Sequence, residues 1–151
     1  MDGRTLSGKV ESSAGGVGRN LADCLTRLGA NPLLVSNAGA KEHAQALLSK
    51  MDHMDKSSIK IVEGARTATC IVILDSQGEC PFLIGDMSVH DALYPQQVKD
   101  HEALISEAPL VIIDGNIPLE TLDFIFDLCS QLQVPVCRKC QRTLDKNYKF
   151  F

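Results

Sequence analysis

"SSAGGVGRNLADCLTRLG", residues 12–29, sets three glycines at positions 15, 16 and 18 directly ahead of a helical pattern. Glycine accepts a positive φ and has no side chain to block approach, so a glycine turn feeding a helix lets backbone N–H groups come close to a ligand. The order Gly15-Gly16-Val17-Gly18-Arg19-Asn20 is neither of the two common phosphate loops. A dinucleotide loop G-x-G-x-x-G begun at Gly16 needs a glycine where Leu21 stands, and a P-loop needs Gly-Lys-Ser/Thr where Gly18-Arg19-Asn20 stands. Two readings stay open on these residues. One is a tight turn capped by Asn20; the other is a ligand loop in which the Asn20 amide offers two donors and an acceptor to a hydroxyl-rich molecule.

Outward from the loop, apolar residues recur at helical spacing in three places: Leu21, Cys24, Leu25 and Leu28; Ala44, Leu47, Leu48 and Met51; Leu122, Ile125, Phe126 and Cys129. A fourth, less regular helix is expected over 94–108, with Pro95 near its start and Val98, Leu104, Ile105 and Ala108 on its apolar side. Between them "PLLVSNAG" (32–39), "PLVIIDGN" (109–116) and "VPV" (134–136) read as strands buried on both faces, as in a parallel sheet covered by helices. The expected fold class is therefore α/β. From Ile59 to Ile84 the rhythm breaks: three β-rich runs separated by "EGAR" and "DSQGE" leave no room for a helix and read as an antiparallel excursion.

With 151 residues, one domain is the expectation. The composition, 44% hydrophobic and 23% charged, is that of an ordinary globular protein, and a net charge of -4 argues against nucleic acid or an anionic membrane as a partner. The one basic cluster is Arg138, Lys139, Arg142, Lys146 and Lys149. No stretch approaches the ~20 apolar residues of a membrane span, and the N-terminus lacks the apolar core of a secretory signal. A cytoplasmic location is expected. Several of the six cysteines (Cys24, Cys70, Cys80, Cys129, Cys137, Cys140) fall on apolar runs, which reads as reduced core thiols.

"AGGVGRNLADCLTRLGANPLLVSNAG" closely resembles the first signature of the PfkB sugar and nucleoside kinases, the ribokinase superfamily, through Gly15, Gly16, Gly18, Asn20, Ala22, Leu28, Gly29 and Gly39. "RTATCIVILDSQGE", "GDM" at 85–87 and "VIIDGNIPLETL" look like the pseudouridine kinase branch. The resemblance covers roughly residues 8–136. It implies a partial ribokinase-like α/β/α sandwich with a small β-sheet lid, the lid segments lying within about 8–14 and 59–84. It also implies ATP-dependent phosphorylation of a sugar or nucleoside hydroxyl, with pseudouridine the preferred substrate and Mg2+ accompanying ATP. Gly15, Gly16 and Asn20 would hold the ribose hydroxyls. Thr67 and Thr69, on the lid-like strand, are further substrate candidates; Thr is also an ordinary strand residue. Asp114 and Asn116, with Gly115 between them, follow a buried strand at the edge where open α/β sheets bind ligands, and are phosphate-side candidates or a polar turn.

The family's catalytic base is the aspartate of a G-A-G-D-type motif, which these residues lack; "IGDM" at 84–87 matches an earlier segment of the pattern, with no helix N-terminus beside it. The resemblance stops at Cys137, so 137–151 reads as a divergent tail on a truncated kinase domain, 1–136. Such a chain alone is expected to be inactive. The alternative is a non-catalytic fragment that binds a nucleoside or forms a homodimer or heterodimer through its lid strands. Cys137-Arg-Lys-Cys140 lacks the second pair of ligands a zinc site needs, and His90 and His101 lie well upstream. Asp75 and Glu79 flank a turn and read as solvated. No metal site is expected.

Overall fold

The computed structural model describes residues 7–40 and 42–138. Residues 7–16 run without regular secondary structure up to α1 (Val17–Arg27). Gly16 stands at the helix cap with φ 94°, a left-handed value that glycine adopts freely. Asn20 is consequently not the cap: it lies in the first turn, its N–H bonded back to the Gly16 carbonyl at 2.9 Å. The stripe expected on α1 is only partly covered. Ala22 is buried and Leu21 and Leu25 are half-buried, but Cys24 and Leu28 face solvent. α2 (Glu42–Ser49) and the turn after it bury Ala44 and Met51 as the spacing predicts. Ala22, Met51 and Met54 form one small core, with Leu34, Leu47, Leu48 and Ile59 against it.

β1 (Ser36–Gly39) and β2 (Ile59–Val62) run parallel, Ser36 opposite Ile59 and Gly39 opposite Val62. Parallel neighbours need a crossover connection, and α2 is that crossover. Ile59–Val62 thus belongs to the α/β layer, which corrects the antiparallel expectation for 59–84. Only β3 (Thr69–Ile73) and β4 (Phe82–Asp86) pair antiparallel, from Thr69 opposite Asp86 to Ile73 opposite Phe82. Their turn is closed by Asp75, whose Oδ1 accepts the N–H groups of Gln77 and Glu79 at 2.8 and 3.0 Å. Asp75 therefore has a structural task rather than a merely solvated one. Every residue from Thr69 to Met87 is exposed.

A 3-10 helix (Ser88–Ala92) follows, then α3 (Pro95–Lys99) and α4 (Glu102–Ser106) in place of one helix over 94–108. The break is at His101, whose φ −111°, ψ 14° is not helical and whose carbonyl starts the next turn by accepting Ile105 N–H at 2.9 Å. β5 (Val111–Ile113) and β6 (Val136–Arg138) are parallel, joined by α5 (Leu119–Leu132). Leu122, Ile125, Leu128 and Cys129 of α5 form the larger core with Val98, Ile113 and Val134, while Phe126 is left exposed. Two polar ties cross between the layers: Thr121 Oγ1 donates to the Leu93 carbonyl at 2.6 Å, and Gln97 Nε2 to the Ser36 carbonyl at 3.2 Å.

The protein is α/β, with two parallel strand pairs, each bridged by a helix, and one projecting hairpin. The strands are shorter than the apolar runs that announced them. The described cysteines are free thiols, as expected, but their placement in the core fails for most: Cys24, Cys70, Cys80 and Cys137 are exposed, and only Cys129 among the described cysteines is buried, its thiol pKa pushed up by that burial. Cys140 lies outside the described residues, as do Lys139, Arg142, Lys146 and Lys149. Among the described residues no helix is long and apolar enough to cross a membrane.

Candidate functional site

β1 and β5 end at Gly39 and Ile113, and the loops beyond those C-terminal strand ends are where an open α/β layer gathers ligand-binding groups. Asp114, the residue after β5, reaches the glycine loop. Its Oδ2 accepts the Gly18 N–H at 3.3 Å, across 96 positions of sequence, and its Oδ1 accepts the Gly115 N–H at 2.6 Å. The loop at 15–18 and the strand end at 114–116 are thereby one place in the fold. Gly15 and Gly16 are exposed there, as are Asn20 and Asn116.

Gly39 is packed differently. A Cβ at this position would stand 2.5 Å from both the Ala65 carbonyl and the Thr67 nitrogen, so the chain crosses itself where only glycine fits. The Gly39 N–H donates to Thr67 Oγ1 at 3.1 Å in a buried contact. Thr67 sits ahead of the hairpin rather than on its strand. Thr69 opens β3, exposed, its hydroxyl donating to the Thr67 carbonyl at 3.1 Å.

Further residues escaped the sequence reading. Arg19, whose side chain is only 15% exposed, donates from Nε to the Gly15 carbonyl at 3.0 Å and from Nη2 to the Ala14 carbonyl at 2.9 Å. Its Nη1 meets Asp23 Oδ2 at 3.3 Å, and Nη2 also contacts Asn20 Oδ1. Asp23 in turn takes Arg27 Nε at 2.7 Å and His53 Nε2 at 2.6 Å. The His53 contact above all, helped by Arg27 and opposed by partial burial, holds the Asp23 carboxyl below its usual range. An arginine at a helix start reads as a solvated face, so nothing local marked it.

Asn37, buried in β1, reaches the Val89 carbonyl through Nδ2 at 3.5 Å, and its Oδ1 has no hydrogen-bond partner among the described residues. An asparagine within an apolar run was the available signal. His90 is half-buried on the 3-10 helix; burial depresses its imidazole pKa, while the carboxylates of Asp114 and Asp91 pull the other way. His90 therefore lies within electrostatic reach of Asp114. Asp86 ends β4, ahead of the short 3-10 helix: its Oδ1 accepts Ser88 Oγ at 2.8 Å and Ser88 N–H at 3.3 Å, and these bonds, with Arg66 adding, lower its pKa.

The family model described as pfkB family carbohydrate kinase matches residues 2–148, a range that runs past Cys137. Escherichia coli pseudouridine kinase is 33% identical over 147 residues, covering 92% of this chain and 46% of that protein. Pseudouridine kinase of Arabidopsis thaliana is 30% identical over 137 residues, covering 90% and 36% respectively. The chain thus spans less than half the length of these relatives. Among solved structures, Arabidopsis thaliana ribokinase complexed with ribose and ATP superposes with a TM-score of 0.80 at 22% identity, over 91% of this chain and 46% of that one. At that identity the likeness speaks for the fold, which is ribokinase-like. With nearly every residue inside the matched range, and with the glycine loop and helix that open the family pattern in place, the chain belongs to the pfkB family of carbohydrate kinases.

Proposed function

We propose that the chain carries the acceptor side of an ATP-dependent kinase reaction on a sugar or nucleoside hydroxyl, with pseudouridine as the preferred acceptor. The observation that supports this reading is the Gly18–Asp114 hydrogen bond at 3.3 Å, which joins the glycine loop to a strand end carrying Asp114, Gly115 and Asn116. Gly15, Gly16 and Asn20 would contact ribose hydroxyls, Asp114 and Asn116 would lie on the phosphate side, and Thr67 and Thr69 would border the acceptor beneath the hairpin. The two pseudouridine kinases among the relatives support the choice of acceptor.

ATP and Mg2+ would accompany the reaction, as the family resemblance implies. Among the described residues no group of three or more His, Cys, Asp or Glu side chains could hold a metal ion, and both Asp114 oxygens already accept backbone N–H groups. No G-A-G-D aspartate stands in the sequence to take the hydroxyl proton. On this reading the 151 residues alone bind the acceptor without turnover. Isothermal titration with pseudouridine, with and without a non-hydrolysable ATP analogue, tests this. The expected result is nucleoside binding indifferent to the nucleotide and weakened about tenfold in Asn20→Ala, the worth of one or two hydrogen bonds. A folded chain that takes up no nucleoside removes the proposal.

The hairpin favours a second role beside the first. Ile71, Val72, Ile73, Leu74, Phe82, Leu83 and Ile84 are all exposed on it. Apolar side chains exposed on both faces of a two-stranded ribbon mark an interaction site, and pairing with the hairpin of a second copy would cover part of them.

A further inference from the structure

The run Ala14-Gly15-Gly16 is the least ordered kind of backbone a chain can offer, because glycine loses the most conformational freedom on folding. Something must hold it in one shape if it is to recognise a ligand. We infer that Arg19 is the positioning residue of this loop, and that its guanidinium decides which loop atoms the ligand meets. The inference rests on the acceptor-binding reading above.

Two consequences follow from elementary geometry. In a trans peptide the C=O of one residue and the N–H of the next point in opposite directions, and the described chain has no cis peptide bond. With the Ala14 and Gly15 carbonyls turned to Arg19 Nη2 and Nε, the N–H groups of Gly15 and Gly16 face away from the arginine. The second consequence concerns Asn20. Its Oδ1 contacts Arg19 Nη2, which places the Nδ2 donors on the other side of the amide.

The loop so held turns donors toward the ligand: two peptide N–H groups and one side-chain NH2. It reads lone pairs on ligand oxygens, as on neighbouring sugar hydroxyls whose own protons are directed elsewhere. Lysine cannot replace the arginine, because an ammonium is a point charge without the planar fork that spans successive carbonyls. Asp23 anchors the other side of the guanidinium and is itself pinned by Arg27 and His53.

The test combines two measurements on the 151-residue chain. Backbone 15N relaxation without ligand reports loop rigidity, and titration with pseudouridine of Arg19→Lys, Asn20→Ala and the double variant reports coupling. Wild-type order parameters at Gly15 and Gly16 are expected near ~0.85, falling below ~0.6 in Arg19→Lys. Affinity is expected to drop about tenfold in Asn20→Ala and by at least as much in Arg19→Lys, with the double variant no weaker than Arg19→Lys, since the arginine holds the asparagine as well as the loop carbonyls. A merely structural arginine would give additive losses, about a hundredfold together, and that result overturns the inference. So does a loop that stays rigid in Arg19→Lys, or in Arg19→Gln should the lysine variant fail to fold. If the loop loosens as expected while the wild-type chain takes up no pseudouridine, the arginine's role stands and the acceptor reading falls.

Discussion

His90 carries the clearest acid-base signature near the site. Its pKa is depressed below the ordinary 6.5 by burial, so the folded chain keeps the imidazole neutral where the unfolded chain has begun to protonate it. The sign follows. The stability this group contributes is complete above about pH 6.5 and is lost as the pH falls through the depressed folded value. Asp114 and Asp91 limit the loss by favouring the imidazolium. Thermal melts of the wild type should therefore drop in midpoint between about pH 7 and pH 5, and His90→Gln should flatten that slope. An identical slope in the variant would exclude His90 as its source. At the same scale, the glycine loop was legible because positive φ is a local demand that only certain residues meet. Arg19 and Asp114 were not, since their partners are defined by the folded chain and not by neighbours in sequence.

At the scale of single elements, α5 was the most legible, its apolar period running without interruption from Leu122 to Cys129. Its end was less so. Gln133 closes the helix in the left-handed region, φ 58°, ψ 31°, where a side chain is strained and glycine is the usual choice. Gln133→Gly should stabilise the chain by about 0.5–1 kcal/mol, partly offset by the lost Gln133 Nε2 bond to the Ser130 carbonyl at 3.2 Å. Chemical denaturation measures this, and a loss of stability would mean the side-chain bond dominates. Strand direction was the harder matter. "IKIV" reads as a strand in either orientation, and its parallel partner is chosen by the crossover through α2, which local periodicity does not encode. The helical stretch 94–108 misled for a related reason: Lys99, Asp100 and His101 are polar in succession, so the pattern could not reveal where the backbone leaves the helix.

For the molecule as a whole, the hairpin is the conspicuous surface. Val72 and Leu83 face each other in register, 51% and 65% exposed. If hairpins of two copies cover one another, sedimentation should detect a concentration-dependent dimer that Val72→Lys abolishes without altering the melting midpoint. A chain that stays monomeric over the whole range would retire that pairing.

The bond between Gly18 and Asp114 has a bearing on how the protein is made. It closes a span of 96 residues, and ring closure over such a length carries an entropic cost that must be met before the contact contributes anything. During synthesis from the N-terminus, α1 and its glycine loop emerge first and wait for β5 to be made. The first residues of the glycine loop to leave the ribosome are thus among the last to be finished, and, on the function proposed above, nucleoside uptake by a nascent chain would time the joining of its two layers.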